Sequence, residues 1–200
     1  WNYRLIAGYR FSEISAVVGQ CKSVLDIGAG LGFFLDVCRA HSYEHYMGLE
    51  PGGPQRDHAV QVLGLGEHVR PEELDEQTQL PFAPRLVTLF HVLEHLQEPG
   101  KALARIAKLM DPQGWLVIEV PNIGADWPEL GLSQVHVSHR SYFCQQTLEA
   151  LLSANGFYAQ SWRQEAHGIY EGNLRVYARL SASATPTVAP LPPSADDIRA

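Results

Sequence analysis

The chain has 200 residues and is short of cysteine, of basic charge and of long apolar runs. Its 3 cysteines, Cys21, Cys38 and Cys144, are odd in number, far apart and without metal-ligand spacing. A disulfide framework or a cysteine-held metal is therefore not expected, and a reducing, cytoplasmic setting is. Lysine and arginine total 15 against 22 acidic residues, giving a net charge of −7 and a pI near 5.7. With no basic stripe to neutralise phosphates, the composition argues against nucleic-acid and anionic-membrane surfaces and for a small-molecule substrate. No apolar run reaches the roughly 18 residues that a membrane span needs. Because the chain begins at Trp1 rather than a methionine, an adjoining domain is among the partners to consider.

The distinctive stretch is VLDIGAGLGFFL, residues 24–35. The apolar run Ser23 to Ile27 reads as a strand, Gly28, Gly30 and Gly32 as a turn, and Phe33 to Ala40 as a helix. Glycines reach positive φ without a Cβ clash and let a ligand approach the backbone, while the amides of a helix's first turn attract a carboxylate or a phosphate. A dinucleotide pattern would place its third glycine where this chain has Phe33, which weakens a nicotinamide reading. Glu50 ends the next strand-like run and is followed by Pro51; an acid roughly 20 residues past the glycines is placed to accept a ribose diol. With Asp26 beside the turn, the loop suits an amino-acid-bearing nucleoside better than a pyrophosphate.

On these residues the chain resembles class I S-adenosylmethionine-dependent methyltransferases of the small-molecule type. DIGAGLG (residues 26–32) resembles that family's first motif and GLEP (48–51) its second. The run from Phe90 through HVLEHLQEP resembles the fourth, and QGWLVIEVPN the fifth strand and its exit. The resemblance implies S-adenosylmethionine as cofactor, with S-adenosylhomocysteine as product. Its contacts would come from Asp26, Gly28, Ala29, Gly30, Gly32, Phe33, Glu50, Pro51, Phe90 and His91. The fold implied is α/β: a doubly wound, mostly parallel seven-stranded sheet with an antiparallel last strand, over residues 1–180.

The remaining elements fit that order. Residues 3–18 read as an amphipathic helix against the domain edge, carrying Leu5, Ile6, Tyr9, Ile14, Val17 and Val18; Arg10 is a candidate lid residue, though aromatic packing is the favoured role there. Helices are expected over Pro54–Leu63, Lys101–Met110 and Gln145–Ala154, and strands around His68–Arg70, Leu86–Phe90, Trp115–Val120 and Phe157–Arg163. The resemblance implies an acid after the third strand that meets the adenine amine, for which Glu72 and Glu73 are the nearest carboxylates, though with Asp75 and Glu76 a solvated helix start is the favoured reading. Leu174 to Leu180 alternates as a half-exposed edge strand would, and residues 181–200 read as a tail or linker. The irregular stretch from Ile123 to Ser141, with Asp126, Trp127, His136 and His139 as its distinctive groups, is long enough to be a functional loop over the substrate.

His-x-x-Glu-His at 91–95 is also a zinc-protease pattern, but it needs a helix through the motif and a third ligand. Here it starts at a strand end, and Pro99 and Gly100 follow. Glu94 and His95 are expected to hold the loop by hydrogen bonds. The closing GIYEGNLRVYARL resembles the last strand of bacterial deoxysugar C-methyltransferases, whose loop carries a base histidine. Aligning on SYF puts His139 on that base, with Ser138, Val137 and His136 replacing the neighbouring residues. The candidate bases are therefore His139, then His91, then His136, because neutral imidazole accepts a proton near pH 7. The expected activity is methyl transfer to a small-molecule carbon or oxygen; a nicotinamide oxidoreductase, a zinc protease and a non-catalytic module serving a partner enzyme or adjoining domain are the rivals.

Overall fold

The computed structural model describes residues 2–124, 137–165 and 172–181. Helix α1 (Asn2–Val18) precedes strand β1 (Ser23–Ile27), helix α2 (Phe33–Ala40) and strand β2 (His45–Leu49). Short helix α3 (Gly53–Asp57) leads to β3 (Val69–Arg70), and β4 (Leu86–Phe90), α4 (Pro99–Leu109) and β5 (Trp115–Val120) follow. Helix α5 (Gln145–Ala154), β6 (Phe157–Gln164) and β7 (Leu174–Leu180) complete the order. The strands form one sheet in the order β3-β2-β1-β4-β5-β7-β6. Strands β1 to β5 pair in parallel, and β7 runs antiparallel to both β5 and β6. The chain winds from β1 to one edge through β2 and β3, then returns to β4 beside β1. The carboxyl ends of β1 and β4 thus flank the switch point at which an open α/β sheet binds ligands.

The apolar runs form strands because both faces of the sheet are covered. Alternate residues of β1 and β4 enter different cores: Leu25, Ile27, Val87 and Leu89 meet α4 and α5 side chains such as Leu103, Ile106, Leu148 and Leu152. Val24 and Leu86 face the layer of α1 and α2 through Ile14, Phe34, Leu35 and Cys38. Each large apolar side chain removed from water in this way contributes about 1.5–3 kcal/mol.

Four expectations require correction. On α1, Ala7 and Ile14 are the buried residues, whereas Leu5 is 66% and Tyr9 51% exposed; the side turned inward also carries Arg10, and the aromatic packing comes from Phe11 against His41 and Tyr43. The helix expected over Pro54–Leu63 is α3 followed by a π-turn at His58–Val62, which carries His58 to the glycine loop, where Nδ1 meets the Leu31 carbonyl at 2.9 Å. Glu72 and Glu73 do not start a helix; they lie in an irregular stretch after β3. Strand β7 is not an edge strand: it lies between β5 and β6, with Leu174 to Ala178 buried.

The polar residues of β7 alternate because one of them is paired inside the sheet. Arg175 stands opposite Glu119 in the β5–β7 register and is 1% exposed. Its Nε and Nη2 donate to Glu119 Oε2 at 2.8 and 2.6 Å, and Nη2 also reaches Glu165 at 2.6 Å. A buried ion pair adds little net stability, but removing one partner strands the other. Arg175→Ala should therefore destabilise the fold by about 3–5 kcal/mol, read as a lower urea midpoint, whereas Lys101→Ala, which removes the exposed pair with Glu98, should cost under about 1 kcal/mol.

Candidate cofactor and acceptor site

The glycine turn after β1 is closed by backbone bonds that only left-handed residues permit here. Gly28, Gly30 and Gly32 have φ of 69°, 55° and 83°. A Cβ on Gly28 would run into Val92, and one on Gly32 would stand 2.7 Å from Ala59 Cβ. The amides of Gly28 and Ala29 donate to the Leu49 carbonyl at 2.8 and 3.1 Å, so these two are spent within the fold. The first-turn amides of α2 have no intrahelical acceptor and face the space above the loop.

Glu50 completes this cradle. Its Oε2 accepts from the Gly30 amide and its Oε1 from the Gly52 amide, both at 2.7 Å. Each carboxylate oxygen has further lone-pair capacity, so these bonds orient the group and still leave acceptors for a diol. A cavity of about 460 Å³ runs from Ile27, Gly28, Glu50 and Pro51 to His91, His95 and Arg140. Glu72, Glu73 and Leu74 line it as well. Phe33 sits beside the loop with its ring 5.1 Å from that of His58, and Phe90 ends β4 with Phe34 5.0 Å away. The Arg10 guanidinium covers the Phe90 ring at 4.4 Å.

Asp26 lies beneath the turn. It is 2% exposed, and its Oδ1 accepts from the Thr88 hydroxyl at 2.7 Å. Burial pushes its carboxyl up to about 7, against opposing effects of the Thr88 bond and Arg10. Its place is in the β1–β4 layer, not among the residues lining the cavity described above.

His91 begins the turn after β4 in a left-handed conformation, φ 58°, with its amide donating to the Glu119 carbonyl at 2.9 Å. Its Nε2 lies 3.3 Å from Glu119 Oε1 and 3.0 Å from Asn173 Nδ2, and its Nδ1 lies 3.4 Å from Glu94 Oε1. Burial alone would lower its pKa, but the neighbouring carboxylates of Glu119 and Glu94 outweigh burial and raise it. Burial likewise opposes ionisation of Glu119, and His91, Arg10 and Arg175 overcome it and hold that carboxylate charged. Arg10 reaches Glu119 from α1, so the first helix is tied to the same network.

The turn itself is a short 3-10 segment at Leu93–His95, not a longer helix, and His91 and His95 do not share a helical face. The protease arrangement is thereby absent from this turn. His95 holds the following segment as expected, its Nδ1 bonding the Ser138 carbonyl at 3.0 Å. Glu94 does so through its carbonyl, which accepts from the Arg140 and Ser141 amides at 2.8 and 3.1 Å. These bonds bring His139 beside His95, ring centroids 4.8 Å apart. Glu94, His95 and His139 are also the described residues grouped closely enough to share a metal ion. His136, Asp126 and Trp127 lie outside the described residues.

Sequence reasoning missed Glu119, Arg175, Asn173 and Arg140. A signal for the first two was present: one acid inside WLVIEV and one arginine inside LRVYARL, each isolated in an otherwise apolar strand. Lone opposite charges in neighbouring buried strands are explained by pairing.

With this geometry in place, the comparisons are direct. The chain belongs to the methyltransferase-domain family, whose sequence pattern matches residues 6–161. It resembles the ubiquinone biosynthesis O-methyltransferase of Aeromonas salmonicida, 32% identical over 104 residues, covering 50% of this chain and 44% of that one. It is also 32% identical over 149 residues to the tRNA U34 carboxymethyltransferase of Syntrophotalea carbinolica, covering 69% and 45%. The chain thus spans less than half the length of these curated relatives. Among solved structures, magnesium protoporphyrin IX methyltransferase from Synechocystis with bound S-adenosylhomocysteine superposes with a TM-score of 0.66 at 16% identity, covering 90% of this chain and 83% of that one. A methyltransferase from Archaeoglobus fulgidus gives 0.66 at 18% identity, covering 88% and 93%. The fold is that of the class I enzymes, and the cofactor of the family is S-adenosylmethionine.

Asp26 generates a pH prediction. In the unfolded chain its carboxyl ionises near pH 4, and in the folded chain at about 7. The folded state therefore holds a proton that the unfolded state has lost. The contribution to stability is full below about pH 4 and is lost as pH rises through 7. Asp26→Asn keeps an acceptor for Thr88 and cannot ionise. Relative to it, the parent protein should lose up to about 1.4 kcal/mol per pH unit between pH 4 and 7, measured by urea unfolding.

Proposed function

We propose that this chain moves the methyl group of S-adenosylmethionine to an oxygen or carbon of a small-molecule acceptor, a sugar or natural product. The observation that carries the reading is the cavity that joins the glycine loop and Glu50 to the histidines of the turn after β4. The cofactor contacts proposed are the backbone at Gly28 to Gly32, the first turn of α2 at Phe33, the diol acceptor Glu50 with Pro51, and the wall at Phe90 and His91. Methyl transfer is an in-line displacement, so the protein holds donor and acceptor about 3 Å apart and keeps water out. The methyl carbon bonds to the acceptor while the carbon–sulfur bond breaks, its electron pair returning to sulfur.

An oxygen or carbon acceptor also sheds a proton. A histidine assists that loss in this reading, His139 foremost, which lies against the cavity-lining His95. His91 stands between two carboxylates that favour its charged form, which suits it to hold the site's charge balance rather than to accept a proton. The net charge of −7 and the small cavity favour small acceptors over RNA, although one relative's name is that of a tRNA-modifying enzyme.

The test is a turnover screen weighted toward nucleotide sugars and hydroxylated natural products, followed by His139→Ala. That variant should bind S-adenosylhomocysteine as the parent does and turn over at least roughly tenfold more slowly. Normal turnover would remove His139 from the chemistry. Cofactor binding without turnover on any acceptor is the result a non-catalytic module would give.

A further inference from the structure

We propose that the turn after β4 and the segment docked on it form a site for one divalent cation of the zinc type, held by Glu94, His95 and His139. The ligating atoms of these three side chains all lie within 4.8 Å of one another. Zinc sits about 2.0–2.2 Å from nitrogen and oxygen ligands, so the widest of these separations closes by roughly 1 Å through side-chain rotation.

Proximity is not the whole case; the carboxylate is in a state that calls for a cation. Glu94 is 1% exposed, and among the described residues neither of its side-chain oxygens receives a hydrogen bond. The polar group near it is the imidazole of His91, 3.4 Å away at Nδ1, whose Nε2 already faces Glu119. Two buried carboxylates therefore share one imidazole, whereas Glu119 alone is also served by Arg10 and Arg175. Leaving a buried carboxylate this weakly paired is costly, and an ion at its free side removes the cost.

His95 is prepared in the way metal-binding histidines are. Its Nδ1 is 3.0 Å from the Ser138 carbonyl, so the proton resides there and Nε2 keeps its lone pair. The backbone bonds from Arg140 and Ser141 to the Glu94 carbonyl fix the docked segment that carries His139. Two imidazoles and one carboxylate select zinc or a similar transition metal over magnesium, which prefers an all-oxygen shell. Three protein ligands leave a coordination position open, and His95 lines the cavity, so that position adjoins the acceptor space. This set differs from the protease pattern, which would use His91 and His95 on one helix.

The site itself stands on these residues whatever the acceptor; its part in catalysis rests on the methyl-transfer reading above. There, a cation held by Glu94, His95 and His139 would act as a Lewis acid that eases loss of the acceptor's proton, with His139 serving as its ligand in place of the proton-accepting role given above.

The experiment is calorimetric titration of the full chain, stripped with a chelator and dialysed, with zinc chloride and separately with magnesium chloride. The same samples are titrated with S-adenosylhomocysteine. One zinc should bind per chain, magnesium should not at the same concentration, and zinc should raise the melting temperature. Glu94→Gln, His95→Ala and His139→Ala should each weaken zinc by at least roughly tenfold, while the exposed His45→Ala should not. Circular dichroism checks that each variant folds, and one folded ligand variant is enough to decide between the two outcomes. Absence of zinc binding, or zinc binding unchanged in a folded ligand variant, overturns the site. Binding of S-adenosylhomocysteine without zinc refutes the cation site alone; binding of zinc without S-adenosylhomocysteine upholds it and refutes the methyltransferase reading.

Discussion

The contact between the Glu50 carboxylate and the Gly30 amide is the constraint around which this structure is arranged. It crosses from the end of β2 to the turn after β1 and fixes both at once, with the Gly52 amide securing the second oxygen. The turn can meet that carboxylate because its glycines take left-handed conformations, with Gly28 and Gly32 also too close to Val92 and Ala59 for a side chain. The parallel pairing of β1 with β2 and β4 then sets the height of the loop against the turn that carries His91. A one-residue slip in either pairing would turn buried side chains to the wrong face and separate the acid from the amide.

A second network governs the other half of the cleft. Glu119 gathers Arg175 from the neighbouring strand, Arg10 from α1 and His91 from the turn after β4. Strand β7 thereby does more than close the sheet, because its Arg175 joins His91 and Arg10 in keeping Glu119 charged in a buried position. The first helix reaches the same carboxylate and covers Phe90 with its arginine. Helix α1, strand β7 and the turn after β4 are linked through charges withdrawn from water, which salt screens little.

Much of this was legible in the sequence because it is local. Ser23–Ile27, Phe33–Ala40, Leu86–Phe90 and Gln145–Ala154 form the elements their periodicity announces. What the sequence hid depends on partners distant along the chain. The alternation of β7 looks like an exposed edge because Arg175 counts as polar; its counterion lies 56 residues away. On α1, apolar residues at helical spacing outnumber the positions the domain covers, so Leu5 and Tyr9 remain outside while Arg10 turns inward to Glu119. The π-turn at His58 answers to the Leu31 carbonyl, which no local pattern reveals. At the site, the glycines and Glu50 were readable from spacing, whereas the meeting of His139 with His95 needed the docking of one loop on another.

The central claim is that the loop and its acid form a pocket for a sulfonium nucleoside. Calorimetric titration of S-adenosylhomocysteine into the parent protein and into Glu50→Ala tests it most directly. The account predicts one site per chain in the parent and an affinity lower by roughly 10- to 100-fold in the variant, the loss expected for charge-assisted bonds to a diol. An absence of binding in the parent, or equal affinity in the two proteins, would contradict it.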